Sequence, residues 1–173
     1  PYFERRNDCS YISIAYWLTD DDKYLKPLID LIFIISDEYS WCLPAHKHIA
    51  GKSPSIADII QSIDLFAAET ARLFSDIAII LAHKLPSCVT ERMEYEVRRR
   101  VIEPMKKYDF NWKYKTNNWA AVCAGGVGIA LLHFGNKNDI DEILPQLYSS
   151  MENFLSGFGT DGCCREGYIY WNY

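Results

Sequence analysis

Thr116-Asn117-Asn118-Trp119-Ala120-Ala121-Val122-Cys123-Ala124-Gly125-Gly126-Val127-Gly128-Ile129-Ala130-Leu131-Leu132-His133-Phe134-Gly135 reads as one helix with both ends marked. Thr116, Asn117 and Asn118 carry side chains that accept hydrogen bonds from the free N–H groups of a first turn, and Gly135 stands where a left-handed C-terminal residue is wanted. The interior holds almost only Ala, Gly, Val, Ile, Leu and Cys and no charge, which predicts a helix buried on every side. Gly125, Gly126 and Gly128 each cost roughly 1 kcal/mol of helix propensity relative to Ala, a loss that makes sense where another backbone or a ligand comes close. At the N-terminus, two amides and an indole face the positive end of the helix dipole, a place suited to a polar ligand. The alternative is a small-residue core helix with Asn caps and no ligand.

The chain has 173 residues, 49% of them hydrophobic and 14% aromatic, enough for one core and too apolar for disorder. A single domain, or part of one, is expected. The net charge of −5 with interspersed signs provides no basic stripe, and Arg98-Arg99-Arg100 is too short to make one, which argues against nucleic acid. No apolar run reaches the ~20 residues of a membrane span, and Pro1-Tyr2-Phe3-Glu4-Arg5-Arg6 is not a signal peptide. With no opening Met, the chain reads as cut from a longer protein, so no compartment is assigned. Cys9, Cys42, Cys88, Cys123, Cys163 and Cys164 show neither zinc spacing nor scaffold density and read mostly as buried thiols.

Helical spacing runs from Arg6 to Leu18, is stopped by Thr19-Asp20-Asp21-Asp22, and resumes from Asp22 to Ser36, giving two antiparallel helices on a short acidic turn. A single helix is predicted over Ile56 to Leu81, with Asp64 and Glu69 inside it as anchors or caps rather than a catalytic pair. A long charged helix with a solvated face is predicted over Thr90 to Lys107, kinked or bounded near Glu103 by Pro104. Another covers Asn138 to Ser156, with Pro145 inside. No strand pattern emerges, so the fold class is all-α, built of antiparallel hairpins.

Glu38 to His48 breaks the helical pattern with an excess of aromatics and imidazoles. Trp41, His46 and His48 are candidates for a ligand platform and for proton transfer, against the alternative of a core Trp with two solvated histidines. A metal pair at His46 and His48 lacks further ligands, so no metal and no cofactor are expected. Phe110 to Lys115 is aromatic and basic, and Cys163 to Tyr173 again concentrates aromatics next to Glu166 and Arg165.

Asn117-Asn118-Trp119 with Val122-Cys123-Ala124-Gly125-Gly126, followed by Asp161-Gly162-x-x-x-Glu166-Gly167-x-x-Tyr170-Trp171-x-Tyr173, resembles the helical domain of the heparinase II/III-like family. Trp41 to His46 and Ile63 to Thr70 resemble its upstream segments. The resemblance implies part of an incomplete α/α toroid, with residues 1–173 a truncated toroid domain and the family's β-sandwich absent. It implies a polysaccharide lyase acting on an acidic, uronate-containing polysaccharide or oligosaccharide by β-elimination. Such chemistry needs hydrogen-bond donors that neutralise the uronate carboxylate, a base for the C5 proton and an acid for the leaving oxygen.

By the resemblance, Asn118 matches the neutralising donor with Asn117 beside it, and Tyr173 matches the catalytic tyrosine with Tyr170 as second choice. Glu166 and Asp161 fix the loop that aims them, and Trp119, Trp41 and Trp171 are sugar-stacking surfaces or core. Where lyases of this family often carry His directly after the Asn, this chain has Trp119, so that group is either missing or supplied by His46. The family's later helices lie beyond Tyr173, so this fragment alone is expected to be inactive and to self-associate through its uncovered apolar face. Two alternatives from other classes are a catalytically silent carbohydrate-binding member and an α-helical interaction domain.

Overall fold

The computed structural model describes residues 2–46 and 55–169. Among these residues the fold is all-α. The helices are α1 (Tyr2–Thr19), α2 (Leu25–Ser36), α3 (Ile56–Ile60), α4 (Leu65–Leu81), α5 (Ser87–Val97), α6 (Glu103–Lys107), α7 (Asn118–Phe134) and α8 (Lys137–Leu155). The sole extended pairing among the described residues is an isolated antiparallel bridge between Phe158 and Cys164.

Helices adjacent in sequence form hairpins. Asp20 takes a left-handed conformation (φ 55°) that reverses the chain after α1, and the Asp21 carboxylate accepts the Lys23 N–H at 3.0 Å to start the single 3-10 turn leading into α2. Gly135 and Asn136 reverse it again between α7 and α8, and Asn136 forms a capping box with Asp139.

The hairpins stack as two layers, with α1, α4 and α7 in one and α2, α5–α6 and α8 in the other. Within the first layer the helices run parallel. Phe3 meets Phe66 edge-on at 4.8 Å and Arg6 Nε donates to Thr70 Oγ1 at the N-terminal ends of α1 and α4, while Lys84 reaches Asp20 at their C-terminal ends. Leu65 and Phe66 of α4 share a cleft with Asn118 and Val122 of α7 at one end, and Ala78 and Ala82 share a groove with His133 and Phe134 at the other. Small residues permit this approach. A Cβ on Gly126 would stand 2.6 Å from the Ala68 carbonyl oxygen, so only glycine lets α7 lie so close to α4.

Four local expectations are corrected. The helix predicted over Ile56 to Leu81 is broken between α3 and α4, because the Asp64 carboxylate turns back to accept the Ala67 N–H at 2.8 Å as an N-cap. Gly135 is extended (φ −80°, ψ 148°), and its lack of a side chain serves space rather than a left-handed turn, since a Cβ would lie 2.4 Å from the Leu131 oxygen. Helix α7 is not buried on every side: Leu132 is 65% exposed and nothing lies within 4 Å of a Cβ on Gly125. That flank has no neighbour among the described residues.

The fourth correction concerns the charged helix, which begins at Ser87 and whose face is not simply solvated. Arg98–Ile102 forms a π-helical turn between α5 and α6, and this wider turn precedes Pro104, whose ring and missing N–H an unbroken α-helix would not accommodate. It also splays the arginines. Buried Arg100 donates to buried Glu96 and to the Ser36 and Glu38 carbonyls, closing the end of α2, while Arg98 donates to the Phe134 carbonyl and to Asp139, closing α7. Burial pushes the Arg100 pKa down, and its Glu96 partner acts against this.

Candidate functional site

At the N-terminal end of the parallel layer lies an open cleft of about 420 Å³, walled by Phe3, Leu65, Phe66 and Val122 and carrying His46, Glu69 and Asn118 as its polar groups. Leu43 and Ile169 complete its rim. Because α1, α4 and α7 all begin here, the positive dipole ends of these helices point toward this side of the molecule, those of α4 and α7 met by the Asp64 and Glu166 carboxylates.

His46 reaches the cleft from the loop after α2 and is held there by Asp64. Its Nδ1 lies 2.7 Å from Asp64 Oδ2, and the Asp64 side chain is fully buried. The same carboxylate caps α4 through Oδ1 and accepts the Leu43 N–H at 3.0 Å through Oδ2, so one buried acid fixes helix, loop and imidazole together. On its other side the His46 ring meets Trp119 edge-on at 4.9 Å, and Lys115 Nζ covers the Trp119 ring at 4.9 Å. His46 therefore has its Nδ1 committed, and among the described residues its Nε2 has no hydrogen-bond partner.

Asn118 begins α7, but the expected capping by Thr116, Asn117 and Asn118 side chains does not occur. Asn117 is the N-cap without a side-chain cap bond, and the Asn118 N–H instead donates to Glu166 Oε2 at 2.6 Å. An ionised acceptor at a helix N-terminus is stronger than a neutral amide, which explains why the carboxylate takes the place. The Asn118 side-chain amide is consequently left without a partner among the described residues, on the cleft wall. The Asn117 Oδ1 is buried and has no hydrogen-bond partner among the described residues.

Of the other candidates, Trp41 is corrected: at 1% exposure it is core, donating Nε1–H to the Ile35 carbonyl and packing edge-on against Phe74, with Arg100 over its ring. It offers no stacking surface. Trp119 is partly buried against the core and touches the site through His46. His48, Tyr170, Trp171 and Tyr173 lie outside the described residues. Asp161 accepts the Cys163 N–H at 3.0 Å and shapes the turn after α8, while Glu166 joins that turn to α7. No group of three or more His, Cys, Asp or Glu capable of holding a metal is present among the described residues.

Glu69 was not singled out for the site by the sequence, and only the proximity of α4 to α7 reveals it. It projects from the second turn of α4 and makes no hydrogen bond or ion pair among the described residues. Burial and the adjacent Asp64 charge raise its pKa, with Arg72 opposing. Glu69 and the Asp64-held imidazole of His46 line the same cleft.

No family model and no curated protein matches the chain. The geometry of the cleft therefore carries the functional argument.

Proposed function

We propose that the chain is part of the catalytic domain of a polysaccharide lyase that cleaves a uronate-containing glycan by β-elimination, its two helical layers forming part of an incomplete α/α toroid. The observation that carries this reading is the convergence of Asn118 and His46, far apart in sequence, on one open cleft. A free amide at a helix N-terminus supplies the hydrogen-bond donor that stabilises a uronate carboxylate as negative charge builds on it, and an oriented imidazole supplies a proton acceptor.

The parallel run of α1, α4 and α7 agrees with a toroid whose inner helices share one direction, and the uncovered flank of α7 is where a further inner helix would pack. Tyr11, Ile14, Trp17 and Leu18 on α1 are exposed by about half or more, and this face supports self-association of the isolated chain. Light scattering that finds only monomer at high concentration would remove that part of the reading.

The lyase reading is tested with Asn118→Ala in the intact protein, assayed by the absorbance of the unsaturated product. The expected loss is about 10²-fold on the acid form of a uronate glycan and much less on its methyl ester, where no anion needs a donor. Equal losses on both, with a lowered Tm, would reduce Asn118 to a structural helix start. A binding-only protein would instead retain glycan affinity with no product at all.

A further inference from the structure

We infer that Asp64 is a positioning residue that fixes His46 as the Nδ1–H tautomer and presents an unprotonated Nε2 to the cleft as its proton acceptor, with Trp119 as the stop that keeps the ring in place. Asp64 accepts the Leu43 N–H through Oδ2 at 3.0 Å and the Ala67 N–H through Oδ1 at 2.8 Å, so both oxygens of this buried side chain already act as acceptors. The 2.7 Å contact to His46 Nδ1 must then carry its hydrogen on the imidazole, so the neutral ring holds its lone pair at Nε2. Rotation is opposed on the far side by the Trp119 edge at 4.9 Å. His46 keeps 25% of its side-chain surface open, and the cleft is where that surface lies.

The dyad also explains why a carboxylate stands at the α4 N-cap. Asn or Ser would cap the helix equally well through one oxygen, but neither offers a second oxygen able to accept both the loop N–H and the imidazole N–H. The local cap and the site geometry are thus held by opposite oxygens of one residue.

This inference deepens the lyase reading, yet its decisive measurement is independent of it. Nitrogen-15 NMR of the chain at neutral pH should show Nε2 of His46 unprotonated and Nδ1 protonated. Asp64→Asn keeps a capping oxygen for Ala67 but replaces the oxygen that accepts from both His46 Nδ1 and the Leu43 N–H, so the tautomer should switch to Nε2–H and the Tm should fall as the loop N–H loses its acceptor. Diethyl pyrocarbonate, which modifies a bare imidazole nitrogen, should label His46 in the original chain at least tenfold faster than in D64N. If D64N does not fold, the tautomer of the unmutated chain and the labelling of Trp119→Phe, expected to stay within about threefold of the original, decide the matter. An Nε2–H tautomer in the unmutated chain, or equal labelling of the original and a folded D64N, would overturn the inference. In the intact protein D64N should lower kcat by about 10²–10⁴-fold with KM nearly unchanged. Absence of any lyase activity in the unmutated protein would instead refute the proposed reaction, whatever the tautomer.

Discussion

The backbone N–H of Asn118 donates to Glu166 Oε2 at 2.6 Å, so the first turn of α7 is closed by a carboxylate 48 residues later in the chain. This bond ties the loop after α8 to the helix end that carries the cleft amide. It also frees the Asn118 side chain from capping its own helix.

Glu166→Ala should therefore cost about 1 kcal/mol of stability, and Glu166→Gln somewhat less, because Gln keeps an acceptor but loses the charge that favours the helix N-terminus. Urea unfolding gives the energy. Amide exchange at Asn118 should accelerate in both variants, and unchanged exchange would show that the bond does not persist in solution.

Two neighbouring glycines of α7 should respond in opposite directions to the same change. Gly126→Ala places a methyl group 2.6 Å from the Ala68 oxygen and should destabilise by about 1–3 kcal/mol as α4 and α7 are forced apart. Gly125→Ala meets nothing within 4 Å and should stabilise by up to about 1 kcal/mol through helix propensity. Thermal unfolding of the two variants reads both signs at once.

Acid stability should depend on Asp139. Burial acts to raise its pKa, but the Asn136 N–H, Lys106 and Arg98 outweigh burial and hold the group down from 3.8 to about 2. The folded pKa lies below the unfolded one, so this contribution is fully present above about pH 4 and is lost as pH falls toward 2. Asp139→Asn should cost on the order of 1–2 kcal/mol at neutral pH and flatten the stability profile between pH 4 and 2. Unfolding free energies measured across that range provide the check.

Glu69 should show the reverse linkage. Its pKa is raised by burial and by Asp64, so the folded protein holds the proton longer than the unfolded chain, and stability falls as pH rises above the ordinary value of 4.5. Glu69→Gln should raise the Tm at pH 7 by about 2 °C or less, given the solvent around the group, and leave it unchanged below pH 4. A lowered Tm at pH 7 would mean that Glu69 has a stabilising partner.

The all-α class and most helix positions were legible because they follow from apolar spacing, caps and the absence of alternating runs, all of which act within a few turns of chain. Asn118 and His46, singled out in the sequence from composition and resemblance, line one cleft in the structure. Three kinds of feature were not legible. The break before α4 depends on Asp64 preferring a cap over a mid-helix position, and the same side chain is acceptable in either until a loop and an imidazole dock on it. Trp41 reads alike as platform or core, since an indole suits both, and only the docking of α2, α4 and Arg100 around it closed it off from solvent. Glu96 and Arg100 look like a solvated pair, yet the π-helical turn rotates them inward to meet the open end of α2.

By itself the sequence determined that the chain would be helical and that α7 would need glycine for close approach. Tertiary structure alone decided that Asp64 would hold His46, that Glu166 rather than Asn117 would close α7, and that Glu69 and Asn118 would line one cleft. Each of these joins residues on different elements. Helix periodicity is a short-range property of one segment, whereas the partner of a buried polar group is set by which segments pack together, and many packings satisfy the same local pattern.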